Sequence, residues 1–400
     1  MKIAPFIRFR TNTKNTVLYT VKPLLLLEMI YGIFRFEMNE NLITPINRTM
    51  KIVGMLLYSL VAVIYFTFAI GSAAQISASR ILEILPSVIV FIEYSVTLLV
   101  QLFFDNNTSI KIFSLIEDID ISLRLDKSKD FYKKSHAGTI ILITLLVISF
   151  LFLMIFDIFN ELEIRLEHTF SLIIYFQCEL EIILFFKLMG IVRMRLITIN
   201  NYLSKFIAHR EFKKTFNLRK LDDIIHFGEC FNYIGPIGHN NLKIRDLARA
   251  YSLIGETCEM INRSFNFLIF SILMSTFSFI IILFRVSLSE FESYKNYRYL
   301  IKIFVWATSE VVGITTLVYN CEKVLGVQNN TEVLVNKIVM DYDLPKSMRI
   351  QAKAFMETIK VWPLKICSYD IFYLDLQLIF KIVSLCATYL IIVIQVTNYV

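Results

Sequence analysis

Seven apolar runs of about 20 residues, at 50–72, 82–104, 138–158, 169–190, 264–285, 300–321 and 376–397, limit this chain more than any other feature. A run of that length crosses the hydrocarbon core of a bilayer as an α-helix. Inside lipid, only a helix or a closed barrel satisfies every backbone polar group. The composition agrees: 56% of the residues are hydrophobic and 14% aromatic, against about 45–50% apolar in a soluble domain. Only 11 Gly and 7 Pro in 400 residues argue for helices with few interruptions. The expected fold is therefore an all-α membrane protein. The segment 18–36 is also apolar but carries Lys22, Pro23, Glu28 and Arg35, so it reads as an amphipathic or re-entrant helix at the interface. Leu24 to Leu27 are too short for the apolar core of a signal peptide, so no cleavable leader is expected.

The distribution of basic residues orients the spans. With the N-terminus inside, the segments 1–49, 105–137, 191–262 and 322–375 are cytosolic and hold 7, 6, 11 and 7 Lys+Arg. The outer segments 73–81, 159–168 and 286–299 hold 1, 1 and 2. That asymmetry places the N-terminus in the cytosol and the C-terminus outside. It also accounts for the net charge of +7 without nucleic acid. The orientation is opposite to that of a G-protein-coupled receptor, and no cysteine pair falls in an outer loop. Cys178, Cys230, Cys258, Cys321, Cys367 and Cys386 all lie in spans or on the cytosolic side, where disulfides are disfavoured. The glycosylation sequons at Asn47, Asn106, Asn107, Asn262 and Asn329 lie on or at the inner side and are expected to stay unmodified.

The cytosolic segments are patterned. Leu247, Tyr251, Ile254, Cys258 and Ile261 recur at helical spacing and run without a breaker into the fifth span. The fourth span continues through Val192 to Ile207, and Gly235-Pro236-Ile237-Gly238 breaks the chain beyond it. Residues 331–340 and 346–361 read as two more helices, the second entered through Pro345. The chain thus divides into an N-terminal segment with its interfacial helix (1–49), spans one to four (50–190), a helical cytosolic extension (191–262), spans five and six (263–321), a second cytosolic helical segment (322–375) and a last span with a short outer end (376–400).

Two segments carry a family resemblance. One is 247–265, with Tyr251-x-Leu253 and Ile261-Asn262-x-x-Phe265 ahead of the fifth span. The other is 369–396, where Tyr369-Asp370-Ile371-Phe372-Tyr373-Leu374-Asp375 leads to Thr388-Tyr389, five aliphatic residues and Gln395. These resemble insect gustatory receptors, relatives of the insect odorant receptors, with Val396 standing where Phe is usual. The resemblance implies a tetrameric, homo- or heteromeric, ligand-gated non-selective cation channel in the plasma membrane of a sensory neuron. In such a channel the last span lines a central pore and the cytosolic helices anchor the subunits. Chain length and the lack of a sugar-receptor pattern favour bitter or plant secondary compounds as ligands.

Spacing on the last span fits that role. At about 100° per residue, Lys381, Ser384, Thr388, Ile392 and Gln395 fall within a stripe of about 80°. Ser384, Thr388 and Gln395 are the candidate pore-lining polar groups, and Ile391 or Ile392 is the candidate dewetting gate. The alternative is that Thr388 and Gln395 only bond between helices of one subunit. Candidate ligand residues are polar or aromatic groups at membrane depth: Glu93 and Tyr94 in span two, Phe156 and Asp157 in span three, Tyr175, Gln177 and Glu179 in span four, and Trp306, Ser309 and Glu310 in span six. Their carboxylates would attract a cationic amine, aided by Trp306 or Tyr175, or accept bonds from sugar or glycoside hydroxyls. The alternative is that they pair internally, with Lys187 or Lys302 as partners. Two other classes stay open: a transporter using Glu93, Glu179 and Glu310 as relays, and an odorant-type subunit that needs a co-receptor. The scattered His136, His168, His209, His226 and His239 lack metal-ligand spacing, so neither a metal, a cofactor nor enzyme chemistry is expected.

Overall fold

All seven apolar runs lie on helices. A computed structural model describes residues 7–8, 17–39, 42–73, 78–104, 107–125, 129–160, 166–216, 234–235, 237–238, 241–293 and 297–398. Among these, the runs fall on α2 (Arg48–Ala73), α3 (Ala78–Leu99, continued by a π-helical turn at Val100–Phe104), α5 (Lys129–Asn160), α6 (Leu166–Phe216), α7 (Lys243–Ser293), α8 (Tyr297–Met340) and α10 (Leu376–Asn398). Three further helices complete the order: α1 (Val17–Ile30), α4 (Thr108–Ser122) and α9 (Lys346–Val361). Among the described residues, five stretches are long and apolar enough to cross a membrane: Arg48–Thr67, Ser87–Phe104, Asp130–Phe156, Lys243–Phe284 and Ile303–Met340. In α6 the apolar run is interrupted by Glu179, Glu181 and Lys187, and in α10 the described apolar stretch is the shorter Leu376–Tyr389.

Length alone carries three helices out of a bilayer. α6 and α7 each have 51 residues and α8 has 44. At about 1.5 Å per residue, the first two span about 75 Å, more than twice the ~30 Å hydrocarbon core. The projecting halves pack together. Leu247, Tyr251, Ile254, Cys258 and Ile261, the stripe legible in the sequence, are all buried, against Leu203 and Phe206 of α6, Val335 and Ile338 of α8, and Phe355 of α9. α4 packs on α7, and α9 packs on α7 and α8. Residues 331–340 are the end of the continuous α8 rather than a separate helix. Pro345 caps the start of α9, as its fixed φ favours.

Charges inside this bundle are paired. Arg195 of α6 donates twice to Asp120 of α4, Nε to Oδ1 at 2.9 Å and Nη2 to Oδ2 at 2.7 Å. Tyr132 of α5 donates to the same Oδ2 at 2.6 Å, and the Arg195 guanidinium lies over Phe131. One carboxylate thus ties three helices.

The segment 18–36 departs from the expected single helix. α1 ends at Ile30, Gly32 turns the chain with φ +80°, and Glu37–Asn39 forms a strand. One face of α1 (Val17, Val21, Leu24, Leu25) is buried in the main core. Short strands, unforeseen in the sequence, form two sheets. β1 (Ile7–Arg8) and β2 (Glu37–Asn39) flank β3 (Leu42–Thr44), antiparallel, with Ile7 and Met38 both opposite Ile43. β4 (Cys367–Ser368) pairs antiparallel with β5 (Phe372–Tyr373). The β4–β5 loop has three residues: the Ile371 amide donates to the Ser368 carbonyl at 2.9 Å, closing a turn whose two central residues, Tyr369 and Asp370, are left-handed at φ 49° and 57°.

That hairpin joins the two segments that carried the resemblance. Asn262 Oδ1 accepts from the Cys367 amide (3.1 Å), and Asn266 Oδ1 accepts from the Tyr369 amide (2.6 Å). Phe270 meets the Tyr369 ring edge-on at 5.9 Å. Burial raises the Cys367 thiol above its ordinary value, so at neutral pH Sγ stays protonated and donates to Asp370 Oδ1 at 3.3 Å. Asn262→Ala is expected to cost about 1 kcal/mol by orphaning the Cys367 amide. The check is thermal unfolding of purified protein; an unchanged midpoint would show that the clamp is not strained on Asn262.

Candidate ligand site and candidate pore helix

Four helices, α3, α6, α7 and α8, bring ionisable side chains together at membrane depth. Glu93 (3% exposed) comes from α3, Tyr175 (7%) and Glu179 from α6, and Glu310 (6%) and Ser309 from α8. Glu93 lies within electrostatic reach of Glu310, Glu179 and Glu181 and beside Cys178. Glu310 lies within reach of Glu179 and beside Tyr175 and Ser275 of α7. A side chain at Gly313 would come within 4.0 Å of Glu179 Oε1, which places that carboxylate against α8. Aromatic rings adjoin the cluster through Tyr175: Tyr175 and Trp306 meet edge-to-face at 5.0 Å, and Phe279 stacks on Trp306 at 6.3 Å. Gln177 is fully buried and its Oε1 faces Cys178 Sγ at 3.6 Å. Glu93 Oε1, Tyr175 Oη, Gln177 Nε2 and Ser275 Oγ make no well-formed hydrogen bond within the protein.

The remaining candidates sit elsewhere. Tyr94 turns towards α1 and α2, donating its hydroxyl to the Tyr31 carbonyl (3.1 Å) with Tyr58 alongside. Phe156 stacks on Phe152 of its own helix. The side chains of Asp157, Lys302 and Ile392 lie outside the described residues, as do Cys230, His168, His226 and His239. Lys187, a potential internal partner of the carboxylates, donates instead to the Ser135 carbonyl at 2.6 Å.

One pairing was not visible in the sequence. Arg35, just past α1, donates Nε to Glu28 Oε2 at 2.7 Å and Nη2 to Glu181 Oε2, with its guanidinium over Phe265. All three charged residues are buried. Arg35 and Glu181 are 146 positions apart, so no local pattern links them; the signal was only that each is a charge in an apolar segment.

On α10, Leu378 and Cys386 are buried and Ile379 and Ile382 pack on the core, marking a face against α7 and α8. Tyr389 meets Phe277 of α7 edge-on at 6.2 Å. Lys381, Ser384, Thr388 and Gln395 are exposed. At about 100° per residue, their stripe centres roughly 130° from the packed face, pointing away from the chain's own bundle. Ile391 is exposed as well.

Long apolar helices with paired internal charges define a multi-pass α-helical membrane protein. The chain matches the 7tm Chemosensory receptor family over residues 21–397 and belongs to it. The fold is similar to that of the insect olfactory receptor OR5 from Machilis hrabei, with a TM-score of 0.61 and 12% identity over 94% of this chain and 97% of that one. The structure of the same receptor in complex with eugenol matches equally, with a TM-score of 0.61 and 12% identity over the same shares. Comparison with curated proteins found no match.

Proposed function

We propose that this chain is a gustatory-type receptor subunit that assembles as a homo- or hetero-tetramer and forms a ligand-gated, non-selective cation channel. In this reading it sits in the plasma membrane of a sensory neuron, N-terminus inside, and responds to bitter or plant-derived small molecules. The observation that carries the reading is the stripe on α10. Ser384, Thr388 and Gln395 face away from α7 and α8; the Thr388 hydroxyl bonds the Ser384 carbonyl of its own helix, but lipid would leave the Gln395 amide unsatisfied, and further copies of α10 would enclose the stripe around water. The same two helices, α7 and α8, contribute Ser275, Trp306, Ser309 and Glu310 to the carboxyl cluster. Ligand in that cluster would therefore act on the helices that hold α10, drawing them together and widening the ring at Ile391, Ile392 and Gln395.

Whole-cell recording from the chain expressed alone, with G-protein signalling blocked, tests this. A fast cation current reversing near zero, evoked by alkaloids or glycosides, is the expected result. Gln395→Ala should change unitary conductance or ion selectivity, and a channel identical to wild type in both would count against the pore assignment. A second reading, an odorant-type subunit that opens only with a co-receptor, is favoured by the likeness to an olfactory receptor. Current that appears only on co-expression would select it.

A further inference from the structure

The carboxyl cluster differs from the other buried charges described above in having no cation beside it among the described residues. Glu28 and Glu181 share Arg35, and Asp120 is held by Arg195. Around Glu93, Glu179 and Glu310 the neighbours are other carboxyls, Tyr175, Cys178 and Ser275. Among the described residues no Lys or Arg side chain pairs with any of the three. A buried carboxyl without a counter-charge is costly to ionise and holds its proton unless a cation comes to it. The groups around them are also left open: Glu93 Oε1 and Tyr175 Oη, on residues more than nine-tenths buried, make no well-formed bond within the protein.

The spacing discriminates between kinds of cation. Among the described residues, no three His, Cys, Asp or Glu side chains lie close enough to ligate one metal ion. Carboxyls spread over three helices suit a larger cation that donates in several directions. An alkylammonium group has N–H donors for these acceptors, and its apolar body fits the rings of Tyr175, Trp306 and Phe279. A sugar or glycoside hydroxyl would satisfy hydrogen bonds but offer no positive charge against which the carboxyls could ionise.

From this geometry we propose that Glu93, Glu179 and Glu310, with Tyr175 and Trp306, recognise a ligand carrying a protonated amine on an aromatic body. This rests on the ligand-pocket reading above and narrows its ligand class. It does not need the channel to open, so binding is the test.

The experiment is calorimetric titration of the purified full-length receptor in nanodiscs with three indole probes. They are tryptamine, its N,N,N-trimethyl derivative, and the neutral alcohol tryptophol. The expected result is binding of tryptamine, weaker binding of the trimethyl derivative, which keeps the charge but has no N–H to donate, and tryptophol at least about tenfold weaker than tryptamine. Glu93→Gln and Glu310→Gln should each weaken tryptamine at least about tenfold and weaken tryptophol by much less, so that the preference for the cation shrinks. Equal binding of tryptamine and tryptophol to the wild type overturns the proposal, and so does the absence of binding by both cations. The charge contrast in the wild type stands even if a variant fails to fold. A receptor that prefers the cations but passes no current would keep this proposal and count against the channel. Ligand-gated current with no preference for charge would do the reverse.

Discussion

Replacing Arg35 by alanine is expected to destabilise the protein by about 3–5 kcal/mol, because it leaves two buried carboxylates with no cation. Arg35 is 6% exposed and is the shared partner of Glu28 on α1 and Glu181 on α6. Its guanidinium also covers the Phe265 ring of α7 at 5.5 Å, so the substitution removes packing as well as charge. The measurement is thermal unfolding of purified protein together with the yield of folded material. The triple variant Arg35→Ala, Glu28→Gln, Glu181→Gln should regain most of the loss, since the orphaned charges go with the arginine. A single variant as stable as wild type would show that the carboxylates find another partner or lose their charge at no cost.

Gly255→Ala is expected to disrupt the packing of α9 against α7, at a cost of about 1–3 kcal/mol. A Cβ on Gly255 would stand 2.6 Å from Trp362 Cβ and Cγ and 2.8 Å from Cδ2, closer than carbon atoms approach. A new rotamer would move Cγ and Cδ2, but Trp362 Cβ is fixed by the backbone, so relieving that contact requires the backbone after α9 to move. That backbone is tied down: Tyr251 Oη donates to the Trp362 carbonyl at 3.1 Å, and the Leu364 amide donates to Gln328 Oε1 at 3.0 Å. Denaturation of purified protein should show the loss. In a Trp362→Gly background the alanine should cost far less, and an equal cost there would refute the steric account.

The fold was legible where periodicity is strong. Apolar runs of about 20 residues located the membrane helices, and the stripe from Leu247 to Ile261 located a core face, because burial imposes the 3.6-residue repeat directly on sequence. The strands were invisible, since two or three residues such as Cys367–Ser368 carry no repeat to detect. The ligand candidates were legible only as residue types. Glu93, Tyr175, Glu179 and Glu310 converge because α3, α6 and α8 pack near one another, whereas Tyr94 on the same α3 faces the other way to bond Tyr31. Glu181, two residues from Glu179, is neutralised by an arginine far away in the chain. Nothing local distinguishes a carboxylate with a distant partner from one without, so the internal pairs had to come from tertiary structure. The Asn262 and Asn266 clamp was hidden for the same reason: a helical asparagine gives no sign of the amide it will meet 105 or 103 positions on.

The unbroken lengths of α6 and α7 have a mechanical consequence. A rod of about 75 Å that tilts by about 3° about one end displaces the other by about 4 Å, comparable to a side chain's width. With no break in either helix between its apolar stretch and the projecting bundle, these helices would act as levers with their long arms beyond the bilayer. A sub-ångström adjustment among the carboxyls would arrive, magnified, at the far tips.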